Sequence, residues 1–155
     1  MEIQLHGALV EVLGLGVLLM GPSGVGKSEC ALELVRRGHR LVADDVVRIR
    51  PVESEVAGAG EERTLVGAAP RLIRHHMEIR GIGLLYIPEL YGPDSVADES
   101  RVDLMCHLEP WREGKDYERI GLDRASESVA GVPLPSLVLP IRPAGSMATL
   151  VEVAV

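Results

Sequence analysis

Gly21-Pro22-Ser23-Gly24-Val25-Gly26-Lys27-Ser28 follows the apolar run Val17-Leu18-Leu19-Met20 and runs directly into Glu29-Cys30-Ala31-Leu32-Glu33-Leu34-Val35-Arg36-Arg37. The octapeptide fits G-x-x-x-x-G-K-[ST] at every fixed position. Glycines let backbone N–H groups converge on phosphate oxygens, and the helix that follows aims its positive end at the same anion. Lys27 supplies a mobile cation, and the Ser28 hydroxyl is an oxygen ligand suited to Mg²⁺. The flanks supply the context the motif needs. Val17 to Met20 reads as a strand buried on both faces, because such a strand need not alternate. Lys27 to Arg37 reads as an amphipathic helix with Cys30, Ala31, Leu34 and Val35 on one stripe. Gly38 stands where a left-handed residue would end it.

Working outward, Arg40 to Ala43 is expected to be a second strand, ending in Asp44-Asp45. Neighbouring residues of a strand point to opposite faces, so only one of the two acids can face the phosphates unless the backbone turns there. A carboxylate so placed can orient a metal ion or take a proton from an attacking hydroxyl; a solvated or capping acid pair is the alternative. Pro51 to Arg63 is expected to be an exposed loop, and Pro70 to open a short helix running to about Met77. Ile82 to Ile87 reads as an apolar strand and Pro88 to Ser100 as a second loop. Val102, Leu104, Cys106 and Leu108 alternate with Asp103, Met105 and His107, the pattern of a half-buried strand. Leu137 to Ile141 and Leu150 to Val155 read as strand. The sum is a sheet-rich α/β domain spanning residues 1–155.

Composition removes several classes. Sixteen Lys and Arg against 23 Asp and Glu give a net charge of −7, the wrong sign for a general nucleic-acid binder. One Trp, three Tyr and no Phe leave little to stack on bases. The run from Leu13 to Met20 is too short to span a bilayer. Cys30 and Cys106 stand in unrelated contexts, so neither a disulfide framework nor a zinc site is expected, and a reduced, cytoplasmic setting is. The chain contains no Asn, so the Asn-Lys-x-Asp base reader of GTPases is excluded. His75, His76 and His107 lack metal-ligand spacing. Arg71, Arg74, His75, His76 and Arg80 form a local basic cluster that can receive an acidic or phosphorylated surface or simply offset neighbouring acids.

His6-Gly7, the run from Gly21 to Asp45, Leu65-Val66-Gly67-Ala68-Ala69-Pro70, Glu78-Ile79-Arg80-Gly81-Ile82-Gly83, and the strings His107 to Trp111 and Glu118 to Asp123 together resemble the catalytic domain of the HPr kinase/phosphorylase family. The resemblance implies a P-loop kinase fold similar to phosphoenolpyruvate carboxykinase. It implies ATP and Mg²⁺ as cofactors and a seryl residue of the phosphocarrier HPr as acceptor. It also implies a reverse reaction in which inorganic phosphate removes that group and pyrophosphate leaves. On this resemblance Gly21, Pro22, Ser23, Gly24, Val25, Gly26, Lys27 and Ser28 hold nucleotide or pyrophosphate, and Ser28 and Glu78 hold Mg²⁺. Asp45 accepts the seryl proton, His6 orients Asp45 or the incoming phosphate, and Arg119 stabilises the transferred group. A homo-oligomer is implied, since the family forms hexamers.

The chain departs from the family at Pro140-Ile141-Arg142-Pro143-Ala144-Gly145-Ser146, where the family reads close to P-V-R-P-G-R-N; phosphorolysis is the activity this touches. Only five residues precede His6, too few for the family's N-terminal regulatory domain, and this chain stops at Val155, before the terminal helix that family members usually add. Two rivals to an HPr kinase follow: a non-catalytic nucleotide-sensing module, and a kinase with another acceptor.

Overall fold

The structure, a computed structural model, describes residues 1–53, 63–113, 125–141 and 146–155. Twelve strands are present among these residues: β1 (Ile3–His6), β2 (Ala8–Val12), β3 (Leu15–Met20), β4 (Arg40–Ala43), β5 (Val46–Glu53), β6 (Arg63–Ala68), β7 (His76–Ile79), β8 (Gly83–Tyr86), β9 (Glu99–Val102), β10 (Leu104–Pro110), β11 (Ala125–Val129) and β12 (Val132–Ile141). The helices are α1 (Lys27–Arg36), α2 (Ile87–Tyr91) and α3 (Met147–Ala154). A six-stranded sheet runs β11-β12-β10-β3-β2-β4, a four-stranded sheet runs β1-β5-β6-β9, and β7 pairs with β8 in a hairpin of its own among the described residues. In the larger sheet β10 lies parallel to both β3 and β12, while β2 is antiparallel to β3 and β4.

The six-stranded sheet is the middle layer. On one side Val10, Val17, Leu19, Cys106 and Leu108 pack with Ala31, Leu34 and Val35 of α1, Ala148 and Val151 of α3, and Met77 and Ile79 of β7. On the other, Leu9, Leu18, Val42 and Met105 pack with Val47, Ile49, Leu65 and Val102 of the smaller sheet. Both faces being covered, Leu18 and Leu19 are each fully buried, as the unbroken apolar run predicts. Burying each such leucine contributes about 1.5–3 kcal/mol. The helix expected from Lys27 ends at Arg36, and Gly38, at φ 98°, donates its N–H to Val35 O.

Six expectations are corrected. Pro51 and Val52 are not loop: β5 continues through them to Glu53, and Arg63 opens β6. β1 pairs as far as Ile49, so beyond it one edge of β5 is unpaired among the described residues and a missing proline N–H is tolerated. The helix expected from Pro70 is a single 3₁₀ turn, Arg71–Ile73, and Met77 lies in β7. Met77 and Ile79 face inward while Glu78 faces out, the period of a strand. The apolar segment at Ile82 forms β8, yet Ile82 and Leu84 are exposed and the inward residue is Leu85. The loop expected over Pro88–Ser100 holds α2, a 3₁₀ turn (Pro93–Ser95) and the start of β9, elements too short to show a period. Met105 is buried with Leu104 and Cys106, so β10 is covered on both faces rather than half-buried. Leu137 to Ile141 lies within β12 as expected, whereas Leu150 to Val155 is not strand. It belongs to α3, whose N-terminus is capped by Ser146 Oγ accepting from Thr149 N.

Candidate active site

The phosphate loop links β3, inside the middle layer, to the first turn of α1. Two glycines are required by geometry. Gly26 caps the helix at φ 108°, a conformation a side chain strains. At Gly21 a Cβ would lie 2.6 Å from Leu108 O and 2.9 Å from Val25 Cγ1. Lys27 Nζ donates to Gly21 O at 2.5 Å and Pro22 O at 3.2 Å, so the ammonium folds back over its own loop.

Facing the loop is the end of β4. Asp45 adopts φ 70°, and Val46 N donates to Asp44 O at 2.8 Å. This tight reversal carries the chain from one sheet into the other. It also answers the question of which acid faces the phosphates: the backbone turns, and both line the cavity. Asp44 is buried and its Oδ1 accepts from Ser28 Oγ at 2.9 Å. Burial pushes its carboxyl up to about 6, against the hydroxyl of Ser28 and the N–H of Glu78, which favour the ionised form. Asp45 is open to solvent, with His6 Nδ1 3.9 Å from its Oδ1. So exposed a pair adds little to stability. The two residues are held together by main chain instead: Gly7 N donates to Asp45 O at 3.1 Å.

A cavity of about 580 Å³ joins these pieces, with His6, Lys27, Ser28, Asp44, Asp45 and Glu78 around it. Arg80, in the β7–β8 turn, and Glu29 complete the wall. Of the residues singled out from the sequence, all but three thus meet at one cavity. Pro22 and Val25 belong to the loop without lining the cavity, and Arg119 lies outside the described residues. Asp44, named only as half of an acid pair, is the member sequence reasoning undervalued; its signal was its place at the end of an apolar strand. Arg80, one of the local basic cluster, reaches the cavity as well. A second hollow of about 430 Å³ shares Gly26 and Glu29 with the first and is walled by Val25, Ile141, Met147 and Ala148.

Ser28, Asp44, Asp45 and Glu78 offer hard oxygen donors, the donor set Mg²⁺ takes. Among the described residues no three carboxylate, imidazole or thiolate side chains converge into a closed cage. His75 and His76, by contrast, bond to Asp98 and to Arg74 O.

The family described as HPr Serine kinase C-terminal domain matches residues 1–155. The chain belongs to that family. Among its HPr kinase relatives, the HPr kinase/phosphorylase of Caldicellulosiruptor bescii is 53% identical over 153 residues, covering 99% of this chain and 47% of that protein. The one from Caldanaerobacter subterraneus subsp. tengcongensis is 51% identical, covering 99% and 48%. The solved HPr(Ser) kinase/phosphatase of Coxiella burnetii superposes with a TM-score of 0.82 at 29% identity, over 98% of this chain and 87% of that one. The P-loop kinase fold inferred from the sequence is therefore the HPr kinase fold. The chain spans about half the length of the curated relatives it matches. No helix among the described residues is long and apolar enough to cross a membrane.

Proposed function

We propose that residues 1–155 form the catalytic domain of an ATP-dependent protein serine kinase whose acceptor is HPr or an HPr-like phosphocarrier. The observation that carries this reading is the opposition of the phosphate loop and the Asp44–Asp45 reversal across one cavity. Polyphosphate binds along the Gly21–Ser28 amides, and Lys27 leaves the carbonyls of Gly21 and Pro22 to meet the β- and γ-oxygens. The nucleoside extends into the hollow beyond Gly26, between Val25 and Met147. Ser28, Asp44 and Glu78 would hold Mg²⁺, which when bound neutralises charge on the phosphates.

Asp45, open to solvent and therefore to a protein substrate, accepts the seryl proton as the hydroxyl oxygen bonds to the γ-phosphorus and the bond to ADP breaks. His6 keeps the carboxylate of Asp45 turned toward the acceptor. In the reverse direction inorganic phosphate attacks the phosphoseryl phosphorus, pyrophosphate forms, and Asp45 returns its proton to the leaving serine oxygen. Arg119 is assigned to the transferred group by its family position. Self-association, a cytoplasmic setting and independence from nucleic acid and membranes complete the proposal.

The test is transfer of label from ATP to HPr with Mg²⁺, run forward, and release of pyrophosphate on adding phosphate to phosphoseryl-HPr. Seryl label on HPr is expected. Nucleotide binding without label on any acceptor would support a sensing module instead, a reading favoured by the altered segment from Pro140 to Ser146. Label on a different lysate component would keep the chemistry and change the acceptor.

A further inference from the structure

The β7–β8 hairpin carries two residues of the cavity wall, Glu78 and Arg80, yet neither larger sheet continues it. Its aim must come from elsewhere. Part comes from Met77 and Ile79, buried against the middle layer, and part from the stacking of His76 on Tyr86, ring centres 4.9 Å apart. The direction in which the chain enters β7 is fixed one residue earlier. His75 sits at φ 68°, a left-handed conformation uncommon for a residue with a side chain. Its ring Nε2 lies 3.0 Å from Asp98 Oδ1, and its carbonyl accepts the Ile87 N–H at 3.0 Å. The ring is four-fifths covered. Asp98 immediately precedes β9, the edge strand of the four-stranded sheet. One side chain therefore joins the base of the hairpin to the opposite layer, on a backbone that a relaxed chain avoids. Residues kept in such conformations cluster where geometry must be over-determined.

We propose that His75 is a positioning residue whose hydrogen bond to Asp98 aims the β7–β8 hairpin, so that Glu78 and Arg80 face the phosphate loop. The proposal rests on the reading of that cavity as a polyphosphate and Mg²⁺ site. Its link to the chemistry is the Glu78 N–H, which donates to the buried carboxylate of Asp44. A hairpin that swings away withdraws both the Glu78 carboxylate and this bond.

Three variants isolate the bond. His75→Asn keeps a side chain that tolerates the left-handed backbone but cannot reach Asp98. Asp98→Ala removes the acceptor, and Asp98→Asn retains an acceptor oxygen at that place. Two readouts are taken on the full chain: amide hydrogen exchange at Glu78, and calorimetric titration with pyrophosphate with and without Mg²⁺. His75→Asn and Asp98→Ala are expected to speed exchange at Glu78 by about tenfold while global unfolding is little changed. They should also lose about tenfold of the affinity gained from Mg²⁺, leaving metal-free binding intact. Asp98→Asn should match the parent on both. Unchanged exchange at Glu78 in His75→Asn and Asp98→Ala, or equal damage from Asp98→Asn and Asp98→Ala, would overturn the proposal. If the parent itself binds no pyrophosphate, the polyphosphate reading fails, and exchange alone still decides whether His75 holds the hairpin.

Discussion

Replacing Asp44 with asparagine makes the domain more stable at neutral pH, and the reason is the position of its carboxyl. In an unfolded chain this group ionises near 3.8; in the fold, burial moves it to about 6. Between those values the folded state binds more protons than the unfolded one, so stability falls as pH rises through the window and is constant above it. A shift of about two pH units corresponds to about 3 kcal/mol. Below about pH 4 the carboxyl is neutral in both states and this contribution disappears. Asparagine keeps an oxygen for Ser28 Oγ or the Glu78 N–H and never ionises. Asp44→Asn should therefore gain about 2–3 kcal/mol over the parent at pH 7–8, an increase of order 5–10 °C in melting temperature for a chain of this size. Its advantage should shrink to near zero by pH 4. The assay is urea unfolding of both proteins between pH 4 and 8 in chelator-treated buffer, read as the difference between the two curves. A variant less stable than the parent at pH 8, or a difference that does not change with pH, refutes the account of a desolvated charge.

Asp45→Asn should leave nucleotide affinity close to that of the parent, because the carboxylate pairs with His6, and reduce seryl transfer by about 10²–10⁴-fold in the labelled assay. Lys27→Ala should weaken nucleotide binding by at least about tenfold in calorimetry without changing the unfolding curve, since among the described residues its bonds go to the Gly21 and Pro22 carbonyls of its own loop. Arg37→Ala should lower the melting temperature, because one guanidinium joins Glu33 of α1 to Ser146, Thr149 and Glu152 at α3. Bonds from His39 and Arg37 hold the Glu152 carboxyl below its ordinary range. That contribution is present above about pH 4.5 and lost as pH falls through the folded value, so the gap between parent and variant should narrow in acid.

The central part of this architecture was legible because each local signal agreed with the tertiary outcome. Val17 to Met20, the glycine loop and the stripe on α1 each have one reading, and together they place a phosphate site at the end of a buried strand. Legibility failed where tertiary contacts decide. The valines at 151, 153 and 155 suggest strand by propensity, but Val151 is needed against α1 and the Ser146 cap starts a helix. Glu78 lies on a strand that pairs locally and Arg80 in the turn after it, so no periodicity revealed that their hairpin leans over the loop. For the acid pair the deciding fact was a single backbone angle at Asp45, which no side-chain pattern encodes.

The main-chain bond between Gly7 and Asp45 holds the two backbones in register whether or not the imidazole and the carboxylate touch. Either can be truncated while the scaffold keeps its partner in register, so His6 and Asp45 are well suited to a double-mutant cycle that isolates their cooperation. The same separability leaves the domain free to exchange one of these two groups over time without rebuilding the ground on which the other stands.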